Sequence, residues 1–328
     1  MNSFPRKEPN LFYTCQITRS ALTSVLKAII LANRDFGAET IRALLERKDL
    51  VELVGVVPGD EVVRSFASSR KLNIIAPVDV NSDQFISQVK ELKADFLLNL
   101  FFLQKYRSKI LNTPRFGVIN VHPSKLPFYR GRDCVRWAMI CGEKEIGVTA
   151  HQMDEGLDTG QILAQATFPL HEDDNFMDVK EKLLIYYPRL VVETIEKLSQ
   201  DKLTRKEQDP KIGTYFPHRR PEDSRIRWRD SAIEIHNLIR ASYELGFYAY
   251  SYLGERKLFL AKSKLRMSQY ASLGSSQRCG RVLDYDRGDD SSMLLGTRDG
   301  VISIEKCGYF ENEFERARDV LKRGDLLT

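Results

Sequence analysis

The sequence predicts an α/β fold: a doubly wound, mostly parallel sheet followed by a smaller, β-rich, barrel-like C-terminal domain. Three observations predict it. Short apolar runs alternate with amphipathic stretches from Ala28 to Val121, the pattern of strand–helix–strand units. A polar interval from Asp201 to Pro221, carrying Pro210, Gly213 and Pro217, interrupts that pattern. Beyond it, short β-type runs lie between glycines.

The elements follow in order. Ala28 to Ala32 is an apolar run ending at Asn33, with Gly37 behind it, and reads as a buried strand leading to a helix at Ala38 to Arg47. Val51 to Val57 is a second strand, closed by Pro58-Gly59-Asp60. Then come a helix at Glu61 to Arg70, a short strand at Asn73 to Ala76, a helix at Ser82 to Lys93 and a strand at Asp95 to Leu100. Arg107 to Leu111 reads as helical and Gly117 to Val121 as a strand. A long amphipathic helix covers Asp174 to Gln200. After the polar interval a helix at Ser231 to Tyr243 precedes strands at Tyr248 to Leu253, Lys257 to Ala261, Gly280 to Leu283, Met293 to Leu295 and Val301 to Lys306. Gly254, Gly274, Gly288 and Gly300 punctuate them. The expected division is an N-terminal extension over 1–26, a larger domain over 27–205, a linker over 206–222 and a β-rich domain over 223–328.

Composition narrows the function classes. A chain of 328 residues with 42% hydrophobic and 29% charged residues can build a packed core. The net charge of +5 is mild over this length and gives no sign of nucleic-acid binding. Cys15, Cys134, Cys141, Cys279 and Cys307 are odd in number and lack CxxC spacing, so no disulfide framework or zinc site is expected and a reducing, cytoplasmic setting is. No apolar run approaches the ~18 residues that span a bilayer. The first residues are basic and hold Ser and Thr. They read as an extension or a misplaced start, with a transit peptide as the alternative.

A sheet of this kind binds ligands beyond the carboxyl ends of its strands. The turn after the first strand, Ala32-Asn-Arg-Asp-Phe-Gly37, lacks the dinucleotide fingerprint, which disfavours a nicotinamide dehydrogenase. Asn120 and His122 are two apart on one strand, so their side chains share a face, and Pro123 stops the ladder just after them. Alone, such a pair reads as a satisfied core histidine beside a turn-forming Asn. The segment Gly147 to Leu163 adds a loop rich in Gly and acid, in which Gly156 and Gly160 allow a close approach and Asp158 can turn inward.

These two segments carry a resemblance. Asn120 to Gly131 (N-x-H-x-S-x-L-P-x-x-R-G) and Gly147 to Leu163 (G-V-T-x-H-x-M-D-x-G-x-D-T-G-x-I-L) resemble the formyltransferase family that uses 10-formyltetrahydrofolate. The resemblance runs from Ala28 to the C-terminus and implies a Rossmann-like formyltransferase fold. It implies Asn120, His122 and Asp158 as the catalytic set, with no metal: His122 as proton shuttle, Asp158 as its orienting carboxylate, Asn120 as hydrogen-bond donor to the oxyanion. It also implies folate contacts from Gln104, Lys105 and Tyr106, from Arg132, and from Asp154, Glu155, Gly156 and Leu157. Lys105 and Arg132 read equally well as surface charge. His151 reads as structural and Trp137 as core. Cys134 stands where relatives have Pro, which leaves the local helix start open.

The acceptor amine is a separate question. Transferases acting on initiator methionyl-tRNA have a long basic loop after the second strand, and here that loop is Val57-Pro-Gly-Asp-Glu61. Ala76 to Asn81, Asn99 to Phe102, Arg219 to Asp223, Arg225 to Trp228 and Ile235 to Ala241 are similar to the nucleotide-sugar N-formyltransferases, above all the formyltransferase module of the bifunctional aminoarabinose-modifying enzyme. Arg227 before the Trp and Leu245-Gly246 after the helix depart from that pattern. Arg219, Arg220 and Arg240 are candidates to grip a diphosphate, against a solvated linker and helix face. The expected partner is a nucleotide-linked amino sugar, with no membrane and no nucleic acid. Methionyl-tRNA formylation and a folate-binding regulatory protein without turnover are the alternatives. Hydrolysis of the formyl donor is a further one, and a homodimer stays open.

Overall fold

A computed structural model describes residues 25–77, 79–209, 211–266, 278–286, 289 and 291–328. Of the extension expected over residues 1–26 only the last two fall within these, and Gly274 and Gly288 lie outside them.

Strand β1 (Leu26–Ala32) is buried along its length except at Lys27, as suits a strand covered on both faces. Helix α1 (Arg34–Leu45) begins earlier than the Ala38 expected. Gly37 is a helical residue, not a turn. A Cβ there would come within 2.8 Å of the Ala32 Cβ, so its absence lets the helix lie on its own strand. Strand β2 (Val51–Pro58) and helix α2 (Glu61–Ser69) follow, the latter capped by the Asp60 side chain accepting from the Val63 N–H. The strand expected at Asn73 to Ala76 reduces to one bridge between Val56 and Ile74. Asn73 there donates its side chain to the Val54 carbonyl, and Pro77 removes the next ladder donor. Helix α3 (Asp83–Glu91), strand β3 (Phe96–Leu100), helix α4 (Ser108–Leu111) and strand β4 (Val118–His122) complete the winding.

The next stretch was only partly legible. Strand β5 (Arg130–Gly131) and helix α5 (Cys134–Ile140) precede the pair β6 (Glu145–Gln152) and β7 (Ile162–Pro169). Helix α6 (Phe176–Ser199) opens on a capping box made by Asn175 and Asp178. Strand β8 (Tyr215–Phe216) returns to pair with β5. The sheet order is β2-β1-β3-β4-β6-β7, parallel up to β4 and antiparallel beyond it.

The rest of the chain builds a second core. Helix α7 (Ala232–Ala241) starts at a Ser231/Glu234 capping box. Strands β9 (Ala249–Leu253), β10 (Arg256–Leu265), β11 (Val282–Tyr285), β12 (Met293–Gly296) and β13 (Val301–Phe310) form an antiparallel sheet in the order β11-β12-β13-β10-β9. Strand β14 (Glu313–Arg316) and helix α8 (Ala317–Val320), neither expected, lie against β13. Leu327 bridges to Leu253 and Leu326 to Arg281, so the last residues join the two edges and close the barrel. Trp228, Ile235, Ile302 and Ile304 fill its interior.

Buried polar side chains pin the two cores together. The Arg136 guanidinium lies 3.5 Å from the Phe176 ring centre and 4.5 Å from that of Phe247. It donates to the Ala241 carbonyl and pairs with Glu244. Burial lowers its pKa to about 10, with Glu244 opposing. His236 joins the Ser263 hydroxyl to the Glu172 carbonyl. Among the described residues no helix is long and apolar enough to cross a membrane.

Candidate active site

Strand register assembles the site. Asn99 on β3 stands beside Asn120 on β4, and Asn120 stands beside His151 on β6. Side chains of cross-strand neighbours share a face, so the three make a row across the sheet. Asn99 donates to Asn120 Oδ1 at 2.8 Å, and the Asn120 Nδ2 lies 2.9 Å from His151 Nε2. His151 Nδ1 is 3.1 Å from the Gln152 carbonyl, which can only accept. Its hydrogen therefore sits on Nδ1 in the neutral ring, and Nε2 accepts from Asn120. At the far end, the Tyr106 hydroxyl donates to Asn99 Oδ1 at 2.9 Å.

His122 ends β4 on the same face, and both it and Asn120 are buried. Its Nε2 donates to the Tyr129 carbonyl at 2.9 Å, which leaves Nδ1 toward Oδ2 of Asp158 at 3.7 Å. The other carboxylate oxygen of Asp158 is 3.6 Å from His151 Nε2. Burial alone would lower the His122 pKa. The neighbouring Cys134 sulfur, the Asp158 carboxylate and the Tyr129 carbonyl overcome it and raise the pKa to about 9. Burial likewise would raise Asp158, but the charge of His122 and the Gly131 N–H hold it down at about 2. Both shifts favour the imidazolium–carboxylate form of the pair.

Asp158 reaches this place from the β6–β7 loop, folded back over the strands. The residue is left-handed, with φ 56°, a conformation that needs support in a non-glycine residue. Gly160 allows the fold-back, since a Cβ there would lie 1.8 Å from the Gln152 carbonyl oxygen. The Gly131 N–H donates to Asp158 Oδ2 at 2.9 Å. Gln208 donates to the Asp158 carbonyl at 2.9 Å and to the Gly160 carbonyl at 2.7 Å, and accepts from the buried Arg130. The stretch expected as a linker thus crosses the mouth of the site. Gln208 carried no signal in the sequence beyond its place in a polar tract. His151, expected as structural, touches both Asn120 and Asp158, and its alternation with Thr149 was the only hint.

The other expected residues divide. Gln104 and Lys105, with Asp79, Asn81 and Arg107, line a cavity of about 300 Å³. Glu155 accepts from the Ser108 N–H, tying the acidic loop to that wall. Asp154 bonds the Gly156 N–H and the Thr159 hydroxyl, and Leu157 is exposed. Arg132 is exposed beside Gly131. Tyr106 departs from expectation: it is 2% exposed, under the loop rather than on it, because its hydroxyl is needed by Asn99. Arg219 and Arg240 are neither a solvated face nor available to a diphosphate. Arg219 is 1% exposed and donates to Asp223, Ser224 and Ser242, while Arg240 donates to His171, Asp174 and Asn237. Only Arg220 of the three is exposed. Trp137, expected in the core, is half-buried, stacks on Phe216 and donates to the Pro217 carbonyl. Cys134 opens α5 and donates to the Pro123 carbonyl.

Residues 17–195 match the family model described as formyl transferase, and residues 219–322 the model described as formyl transferase, C-terminal domain. The chain belongs to the formyltransferase family. This formyltransferase is 31% identical to a methionyl-tRNA formyltransferase of Thermodesulfovibrio yellowstonii, over 84% of this chain and 89% of that one. Its fold is similar to that of WlaRD, a sugar 3N-formyl transferase solved with dTDP and 5-N-formyl-THF. The TM-score is 0.64, at 20% identity, over 86% of this chain and 97% of that one. It is similar as well to the N-formyltransferase of Helicobacter canadensis solved with folinic acid and dTDP-3-aminofucose. There the TM-score is again 0.64 at 20% identity, over 85% of this chain and 99% of that one.

Proposed function

We propose that the enzyme moves a formyl group from 10-formyltetrahydrofolate to the amine of a nucleotide-linked amino sugar, with Asn120, His122 and Asp158 as its catalytic residues. The convergence of these three side chains on one face of the sheet carries the chemistry. The Asn120 amide, with one N–H on His151, keeps a second for the oxyanion formed when the amine attacks the formyl carbon. His122, charged beside Asp158, gives a proton to the folate nitrogen as its bond to the formyl carbon breaks. The proton released by the attacking amine is then taken up by the His122 imidazole that this transfer leaves neutral, with Asp158 orienting the ring. One C–N bond forms, one breaks, and the proton passes from one nitrogen to the other.

The residues present fit a folate donor. The cavity beside Gln104 has Lys105 and Arg107 exposed at its rim, and folate carries an anionic glutamyl tail. Gln104, Lys105, Arg132 and the loop Asp154 to Leu157 would hold it. Tyr106 would stand behind them.

The choice of acceptor rests on the connection between β2 and α2. Only Gly59 and Asp60 separate them, so no basic loop is there to meet a polyanion. The name of one structural neighbour, a sugar 3N-formyl transferase, and the dTDP-3-aminofucose bound to another support the same reading. Methionyl-tRNA is the second reading, favoured by the name of the 31% identical relative.

The test is incubation with 10-formyltetrahydrofolate and a panel of amino-sugar nucleotides, with initiator methionyl-tRNA in parallel. Mass spectrometry reads the gain of one formyl group on the sugar nucleotides, and acid gel electrophoresis reads it on the tRNA. Formylation of an amino-sugar nucleotide is expected. Product on the tRNA alone would replace the acceptor, and wild-type turnover by His122→Ala would remove the catalytic assignment.

A further inference from the structure

We propose that Tyr106 is a positioning residue for formyl transfer, fixing through Asn99 which way round the Asn120 amide faces the reacting carbonyl. The inference rests on the role given to Asn120 above. It concerns a difficulty particular to asparagine. The amide is nearly symmetric in shape, and turning it over replaces the donor needed at an oxyanion by an acceptor.

The buried row removes that freedom. Tyr106 donates to Asn99 Oδ1 at 2.9 Å, Asn99 Nδ2 donates to Asn120 Oδ1 at 2.8 Å, and Asn120 Nδ2 faces His151 Nε2 at 2.9 Å. Every bond in the row runs the same way. Its far end is fixed, because a neutral His151 must keep its hydrogen on Nδ1 for the Gln152 carbonyl. With Asn120 reversed, its oxygen would meet the lone pair of His151 Nε2, and its NH₂ would meet the NH₂ of Asn99. Relieving that second clash turns Asn99 over as well, so that its NH₂ donates to the Tyr106 oxygen and the buried Tyr106 O–H loses the acceptor it has in Asn99 Oδ1. Tyr106 stands 2% exposed and Asn99 6% exposed, so water cannot readily repair a reversed bond. Burial also raises the Tyr106 phenol pKa, so its hydroxyl keeps its proton. The loop carrying Tyr106 follows directly on β3, which carries Asn99, so the row needs no distant element to form.

The test is steady-state kinetics on wild type, Tyr106→Phe, Asn120→Ala and the double variant, with circular dichroism melts as the folding control. Tyr106→Phe is expected to lower kcat about 10- to 100-fold, as loss of alignment does, with the KM for the formyl donor within about twofold. In the Asn120→Ala background it should lower kcat no further, because the amide it orients is gone. An equal drop in both backgrounds would make Tyr106 merely structural and overturn the proposal. A raised donor KM with kcat intact would overturn it too, making Tyr106 a donor contact. Asn99→Asp gives an independent arm: a carboxylate can only accept, so it would draw the Asn120 nitrogen toward itself. Its kcat should fall to the level of Asn120→Ala, and a wild-type kcat would contradict the proposal. An inactive wild-type enzyme would instead remove the functional reading on which all of this depends.

Discussion

Gln208 donates its side-chain amide to the backbone carbonyl of Asp158 at 2.9 Å, so a residue from beyond helix α6 sets where the carboxylate stands. The same side chain accepts two bonds from the buried Arg130. Gln208→Ala should therefore lower stability by about 1–3 kcal/mol in urea titration, the cost of an unsatisfied buried group. It should lower kcat about 10- to 100-fold as the loop loses its brace. A variant with wild-type kcat would show that the loop holds itself.

Asp158→Asn should move the titration of His122 downward from about 9, because the carboxylate that favours the imidazolium is gone. The signs follow from both shifts. His122 is raised from 6.5, so its share of the stability is full below that value and is lost as pH rises through about 9. Asp158 is lowered from 3.8, so its share is full above that value and is lost as pH falls through about 2. NMR of the imidazole resonances reads the first directly. An unmoved titration in the variant would mean that Asp158 does not sense the ring.

Asn120→Ala should cost about 100- to 1,000-fold in kcat, the usual effect of removing one oxyanion donor. The KM for either substrate should change little, since the bond is made in the transition state. Steady-state kinetics separates the two. A rise in KM with kcat preserved would place Asn120 in ground-state binding.

His236 gives a prediction about stability alone. It is 3% exposed between the two cores, and burial lowers its pKa from 6.5. The folded state resists a proton that the unfolded chain accepts, so its contribution is present above 6.5 and is lost as pH falls through that value. In His236→Gln the loss of stability between about pH 7.5 and about pH 5.5 should be shallower than in wild type. Urea midpoints at the two pH values check it, and equal slopes would contradict it.

The α/β winding and the β-rich second domain were legible because period-2 and period-3.6 patterns are written locally. Asn120 and His122 were legible because residues two apart on one strand share a face, and Asp158 because glycine and acid cluster around it. The partners of these residues were not. Asn99 and His151 meet Asn120 only through strand register, a long-range quantity with no local trace. Tyr106 sits among Gln104, Lys105 and Arg107, and nothing in so polar a loop announces that its ring turns under. Arg219 and Arg240 were misleading for the opposite reason. A buried arginine and a solvated one have the same sequence context, and only neighbouring carbonyls and hydroxyls distinguish them.

The brace at Gln208 also orders events during synthesis. Asn120, His122 and Asp158 leave the ribosome well before residue 208, which lies past the whole of helix α6. A nascent chain at that stage holds every reacting group but nothing to anchor the carbonyl of Asp158. The strut that braces the acidic loop is therefore translated after all three groups it serves.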